Sequence, residues 1–225
     1  MKVIDNELIE VHKLELEIEN TGHITNCYII KDKQTAKACV IDPAFNEQQI
    51  EQTIKEINGI LDTIIATHCH ADHIAALAKL IENTKTKVYI HEQDYEGLYN
   101  KELNAEEIVS TKILPVQKER VVKCNDQDKI TFGNTILEVI HTPGHTKGSI
   151  TLYDEKNNIL YSGDTIFSNS YGRTDLANGN HENMKESLDK LFNRFEDIQV
   201  FSGHGEDFNL KNAKRRIRLL FAYKG

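Results

Sequence analysis

The chain has 225 residues, 28% of them Asp, Glu, Lys or Arg, and a formal net charge of −8. This length allows one large buried core, the acidic balance disfavours nucleic acid because phosphates would repel it, and no run approaches the ~18 apolar residues of a membrane span. Cys27, Cys39, Cys69 and Cys124 form no CxxC pair, so reduced thiols are expected, and an N-terminus without an apolar signal core points to the cytoplasm.

Residues 11–18 alternate apolar and polar side chains, the period-two signature of a half-buried strand. A hairpin follows, strands 27–30 and 38–41 around the polar turn 31–34. Asp42-Pro43 stops its second strand, because proline offers no amide to a ladder. Ile50, Ile54 and Ile57 give residues 47–57 helical spacing, 61–66 reads as a short buried strand, and 74–81 as an amphipathic helix. Residues 96–114 are polar and weakly periodic, a surface excursion near the site. The second half repeats the order with a hairpin of 149–153 and 159–162, then Gly163-Asp164. A helix carrying Met184, Leu188, Leu191 and Phe195 comes next, then a strand 198–201 and Ser202-Gly203-His204. Both halves read hairpin, aspartate, helix, strand, histidine, which suggests a duplicated β-β-α-β unit, with halves about 1–115 and 116–225 of a single domain. Residues 210–225 contain Lys211, Lys214, Arg215, Arg216, Arg218 and Lys224 and no acid, with Ile217, Leu220 and Phe221 expected to dock one helix face. Alternating strands and helices predict an α/β protein: two mixed sheets face to face, helices on both outer faces. Strand-end motifs then gather along one edge, where ligands collect.

The densest chemistry follows the strand 61–66. His68-Cys69-His70-Ala71-Asp72-His73 places three imidazoles and a carboxylate in six positions. His68 and His70, two apart in extended chain, project to one side and can share a metal, while Cys69 points away and reads as packing. Asp72, at the mouth of a helix, could instead serve as an N-cap. His145 lies in a Pro-Gly turn that can present an imidazole stiffly. Asp164 ends an apolar strand, where an unpaired carboxylate is costly to bury, and His204 lies between glycines that permit close backbone approach. Five histidines and two aspartates exceed one tetrahedral ion and suit two divalent ions with a position open for water. His68, His70 and His145 are assigned to one ion and Asp72, His73 and His204 to the other, with Asp164 bridging. Zinc is the first expectation, with iron or manganese compatible.

In this order the residues resemble the metallo-β-lactamase superfamily. Its HxHxDH motif is matched by His68, His70, Asp72 and His73, and its distant His, bridging Asp and final His by His145, Asp164 and His204. The resemblance runs from Asn26-Cys27-Tyr28 to Gly203-His204-Gly205 and implies a four-layer αβ/βα sandwich. Gly172-Arg173-Thr174-Asp175 and Ser202-Gly203-His204-Gly205 look like the glyoxalase II (hydroxyacylglutathione hydrolase) group. Only residues 206–225 stand where that group carries a C-terminal glutathione-binding helical domain, so its short, single-domain form is the better match. True β-lactamases most often place Cys or Ser where Asp164 stands, which counts against an antibiotic substrate.

The activity implied is metal-dependent hydrolysis of a thioester, S-D-lactoylglutathione or a related acyl-thiol, by a hydroxide generated between the two metals, with Asp72 as general base. Arg173, Lys214 and Arg215 are candidates to bind the anionic part of such a small molecule. Thr146, Thr165 and Asp175 are candidates to hydrogen-bond the ligands. Two alternatives stay open. One is a mononuclear iron persulfide dioxygenase, which the motif around His68 also resembles and which would use only His68, His145 and Asp164. The other is a metal-dependent small-molecule binding or sensing protein without turnover. A monomer or homodimer is expected, with no membrane or nucleic-acid partner.

Overall fold

A computed structural model describes residues 1–18, 22–109 and 112–222. In it β1 (Lys2–Asp5), β2 (Ile9–Glu17), β3 (Ile24–Asp32), β4 (Lys37–Ile41), β5 (Ile60–Ile65), β6 (Lys87–His91) and β7 (Val121–Cys124) form a seven-stranded sheet in chain order. A second, six-stranded sheet holds β8 (Lys129–Phe132), β9 (Thr135–His141), β10 (Ile150–Asp154), β11 (Ile159–Gly163), β12 (Gln199–Ser202) and β13 (Phe208–Asn209). Both are mixed: β4 to β7 run parallel in the first and β11 with β12 in the second, the remaining pairs being antiparallel. The helices are α1 (Glu47–Glu56), α2 (Ala71–Ile74), α3 (Leu77–Ile81), α4 (Lys101–Asn104), α5 (Glu106–Val109), α6 (His181–Arg194) and α7 (Leu210–Ala222).

Three apolar clusters define the layers. One joins Cys27, Ile29, Val40 and Ile64 to Ile50 and Ile54 of α1 and Leu77 and Leu80 of α3. The second lies between the sheets, with Tyr28, Ile30, Cys39 and Ile65 against Val139, Leu152, Tyr161 and Phe201. The third joins Ile140, Leu160 and Val200 to Met184, Leu188 and Leu191 of α6 and Leu210, Ala213 and Ile217 of α7. Helix, sheet, sheet, helix is therefore the order of the sandwich, the architecture expected from the alternation of elements. Alternate residues of β3 belong to different clusters, so each face of the strand is buried. In β2 the same alternation sends Ile9, Val11 and Lys13 inward, and the buried Lys13 ammonium donates to Gly205 O and Asp207 of the second sheet's far loop.

The two halves share an order of pairing. The β3–β4 hairpin, α1 and parallel β5 correspond to the β10–β11 hairpin, α6 and parallel β12. Both α1 and α6 start at an Asn side-chain cap, Asn46 on Gln49 N–H and Asn180 on Asn183 N–H.

Two expectations change. The single helix 74–81 is two, α2 and α3, because the Ala76 amide donates to the carbonyls of Pro43 and Ala44 and leaves the helical ladder. On α7 the docking seam is Leu210, Ala213 and Ile217, while Leu220, expected to dock, lies to the side and is 37% exposed. The Phe221 side chain is outside the described residues. Among the described residues no helix is long and apolar enough to cross a membrane.

Candidate metal centre

Chain connectivity brings the seven expected residues to one edge of the sandwich. The loop after β5 carries His68 in a bend and His70 in extended backbone, and α2 turns Asp72 and His73 back toward them. The β9–β10 loop carries His145, the end of β11 Asp164, and the loop after β12 His204. His68, His70 and His145 each offer a ring nitrogen within 4.8 Å of the others, and His73, Asp164 and His204 form a second such group.

Asp164 spans the two groups. One of its oxygens lies 3.4 Å from His73 Nε2, and the other 3.5 Å from His145 Nε2 and 3.3 Å from His204 Nε2. Asp72 Oδ2 lies 3.3 Å from His204 Nε2 and 3.5 Å from His73 Nε2. Donor atoms bonded tetrahedrally at about 2.0–2.1 Å stand roughly 3.3 Å apart, so these separations suit a shared zinc-like ion. His68 Nε2 and Asp164 Oδ1 are buried without a hydrogen-bond partner, each a cost of about 1–3 kcal/mol unless something is bound there. The donor set therefore fits two metal ions. Asp72 is no helix cap: His70 holds the N-cap position of α2 and makes no side-chain cap bond.

The far side of four of the five rings is fixed by hydrogen bonds, while His70 turns its Nδ1 toward His145 Nε2 at 2.8 Å. His145 Nδ1–H donates to Arg173 O (2.7 Å), His204 Nδ1–H to Ile24 O (2.6 Å), and His73 Nδ1–H to Asp42 Oδ2 (3.0 Å). Thr67 Oγ1 donates to Asp42 Oδ2 (2.7 Å) and so accepts Nδ1–H of His68 (3.1 Å). Each bond puts the proton on Nδ1 and leaves Nε2 free to ligate, the usual second partner of a metal-bound histidine.

Charge is divided between the two groups. Burial pushes His68 well below the ordinary imidazole range and His70 to about 3, reinforced by His145 and the neighbouring rings, so both are neutral, as ligation requires. Burial opposes charge on Asp72 and Asp164 too, yet His73 and His204 beside them hold both carboxyls well below their usual range. Against its own burial, His204 is raised to about 10 by Asp164 and Asp72, and His73 is raised by Asp72, Asp164 and Asp42.

A cavity of about 240 Å³ opens over the centre, lined by His70, Asp72, His145, Asp164 and His204 and walled by Ala105, Ile108, Phe167 and Leu176. Arg173 reaches its rim, paired at 2.7 and 2.8 Å with Asp175. Lys214 and Arg215 line a different groove on α7 with Lys211 and Arg218. Cys69 is buried against Gly97 and Leu103, a packing residue as expected. Thr165 bonds Thr142, and Thr146 Oγ1 donates to Asp94.

Asp94, Asp42, Thr67 and His23 belong to the site, but the sequence assigns none of them to it. Asp94 accepts from Cys69 N–H, Thr146 Oγ1 and Gly148 N–H, tying the loop of His68 to the loop of His145. Asp42 had a signal: it ends a hairpin strand as Asp164 does, but the following proline accounts for it locally.

The sequence matches the metallo-β-lactamase superfamily over residues 20–204. MJ0888 of Methanocaldococcus jannaschii, a probable metallo-hydrolase, is 32% identical over 198 residues, 85% of this chain and 92% of its own. The hydroxyacylglutathione hydrolase GloC of Haemophilus influenzae is 26% identical over 208 residues, 87% of this chain and 92% of its own. Among solved structures, BLEG-1 B3 metallo-β-lactamase superposes with a TM-score of 0.80 at 28% identity, covering 90% of this chain and 95% of that one. TTHA1623 in a di-iron-bound form gives 0.81 at 25% identity, covering 92% and 99%. ETHE1 from Myxococcus xanthus gives 0.71 at 25% identity, covering 91% and 82%. With paired donor groups at the strand ends of a four-layer sandwich and a match across most of its length, this chain belongs to the metallo-β-lactamase superfamily.

Proposed function

We propose that the chain is a binuclear metallo-hydrolase that cleaves the thioester of a small acyl-thiol, with S-D-lactoylglutathione as the reference substrate. The observation that carries this reading is the reach of Asp164, one carboxylate within 3.5 Å of His145, His73 and His204. His68, His70 and His145 would hold one ion, Asp72, His73 and His204 the other, and Asp164 both. Imidazole and carboxylate donors without thiolate suit zinc or iron, and the di-iron form of TTHA1623 supports occupancy of both sites. Two ions bound there would supply Lewis acidity toward a carbonyl oxygen and lower the pKa of a bound water to about 7.

The chain's own residues account for the rest. Asp72, held ionised by its imidazole neighbours, is the acceptor for the proton of the attacking water. Cys69 is excluded as a nucleophile, since its sulfur is buried behind the loop and burial pushes its thiol well up. Ala105, Ile108, Phe167 and Leu176 exclude water and receive the apolar part of the acyl group. Arg173 is the cation available at the rim to an anionic thiol arm, in competition with Asp175.

GloC supports a thioester substrate, and ETHE1 keeps the persulfide dioxygenase as the second reading. A complete second donor group favours the hydrolase, since the dioxygenase would use only His68, His145 and Asp164. Elemental analysis of the purified chain, beside assays with S-D-lactoylglutathione and glutathione persulfide, separates them. Two ions with thioester cleavage is the expected result. One iron with oxygen uptake from the persulfide would replace the hydrolase with the dioxygenase.

A further inference from the structure

His23 lies outside every motif of the sequence and yet inside the metal cavity, just before β3. Its Nε2 is 2.9 Å from Asp72 Oδ2, and its ring stands edge-on to His204 with centroids 5.4 Å apart. A ring nitrogen of His23, a carboxylate oxygen of Asp72 and a ring nitrogen of His204 all lie within 4.8 Å of one another, as the donor atoms of the other two groups do. Asp72 does not depend on this residue alone for partners: the Thr25 hydroxyl donates to the same oxygen at 3.3 Å, and Nε2 of His204 and of His73 lie 3.3 and 3.5 Å from it. Packing does not call for it either, as the side chain is 40% exposed.

We propose that His23 is a further metal ligand, a donor from the solvent side to the ion held by Asp72, His73 and His204. The proposal rests on the binuclear reading above. It gives the second site one more imidazole than the superfamily pattern carries. That site would then favour imidazole-seeking first-row ions such as Zn²⁺ or Fe²⁺ over Mg²⁺ or Ca²⁺, which prefer all-oxygen shells.

The test uses the full chain stripped of metal and titrated with Zn²⁺ against a chromophoric chelator, with parallel Co²⁺ loading to read the visible absorption of each site. The wild type is expected to bind two ions. His23→Ala is expected to weaken the second ion by at least the roughly 10–100-fold that loss of a mere orienting partner costs, to leave the first unchanged and to shift the second Co²⁺ band. His23→Gln keeps an N–H for Asp72 but is a poor ligand, so it should behave like His23→Ala. Wild-type affinity in His23→Ala overturns the proposal, and so does full rescue by His23→Gln, which would make His23 only an orienting partner of Asp72. Uptake of a single ion by the wild type overturns the binuclear reading itself, an outcome distinct from two ions that ignore His23. Circular dichroism and thermal unfolding of the apo variants check that the fold is kept.

Discussion

Asp42 and His73 meet at 3.0 Å, Oδ2 to Nδ1, both buried behind the metal centre. The same carboxylate accepts the amide and the hydroxyl of Thr67 at 2.7 Å each, so one residue at the end of β4 fixes the start of the His68 loop and orients the ring of His73, five residues beyond His68. Replacement by Ala is expected to weaken the ion bound by Asp72, His73 and His204 about 10–100-fold. It should also cost roughly 1–3 kcal/mol for the Thr67 amide left unpaired. Metal titration and urea unfolding of the apo protein measure the two effects separately, and unchanged metal affinity would remove Asp42 from the centre.

Asp72→Ala should lower thioester turnover by at least the 10²–10⁴-fold typical of a lost general base. The fold should persist, since the contacts of Asp72 are with His23, Thr25, His73 and His204 and not with the apolar clusters. Turnover near that of the wild type, with an unaltered circular dichroism spectrum, would rule out Asp72 as both base and ligand.

What the sequence reveals divides by range. The His68–His73 cluster and the strands and helices around it are legible because strand and helix periods, and donor spacing, are local. β6 and β7 escape, because each is a short strand whose parallel partners lie more than 20 residues away in the chain. Asp42 explains itself locally as a strand stop, while its partners Thr67 and His73 lie 25 and 31 residues on. His23 and Asp72 are 49 residues apart, and nothing periodic links them. Likewise the excursion 96–114 is legible as polar surface, but that Ala105 and Ile108 roof the cavity follows only from tertiary packing.

Gly203 and Gly205 flank His204 for different reasons. A Cβ on Gly203 would overlap Asp164 Oδ1 and lie 2.6 Å from His73 Cε1, while one on Gly205 meets nothing within 4 Å. Gly205 instead has φ +75°, where an L side chain costs about 1–2 kcal/mol. Gly203→Ala is therefore expected to displace Asp164 and His73 and to abolish tight binding of the second ion. Gly205→Ala should keep both ions and lose only that backbone strain in stability. Metal content and denaturant unfolding of the pair check this, and equal metal loss in both would mean that the loop, and not the Gly203 contact, sets the site.

His91 at the end of β6 stacks on His141 at the end of β9, ring centroids 4.0 Å apart and planes 11° from parallel, so the pair joins the two sheets away from the metal cavity. Its Nδ1 accepts the Gln93 amide at 3.3 Å, which requires that nitrogen to be unprotonated. Burial first, and then the adjacent His141, pushes His91 from the ordinary 6.5 down to about 4. Between those values the unfolded chain binds a proton that the folded chain refuses, so stability falls as pH drops from about 6.5 to about 4. His91→Asn retains an acceptor for Gln93 but does not titrate, and should flatten this part of the pH dependence. The metal ligands titrate in both proteins, so the quantity to measure is the difference between variant and wild type in urea unfolding across this range, with chelator present. That difference should shift toward the variant as the pH is lowered; a constant difference would show that His91 does not change its protonation there.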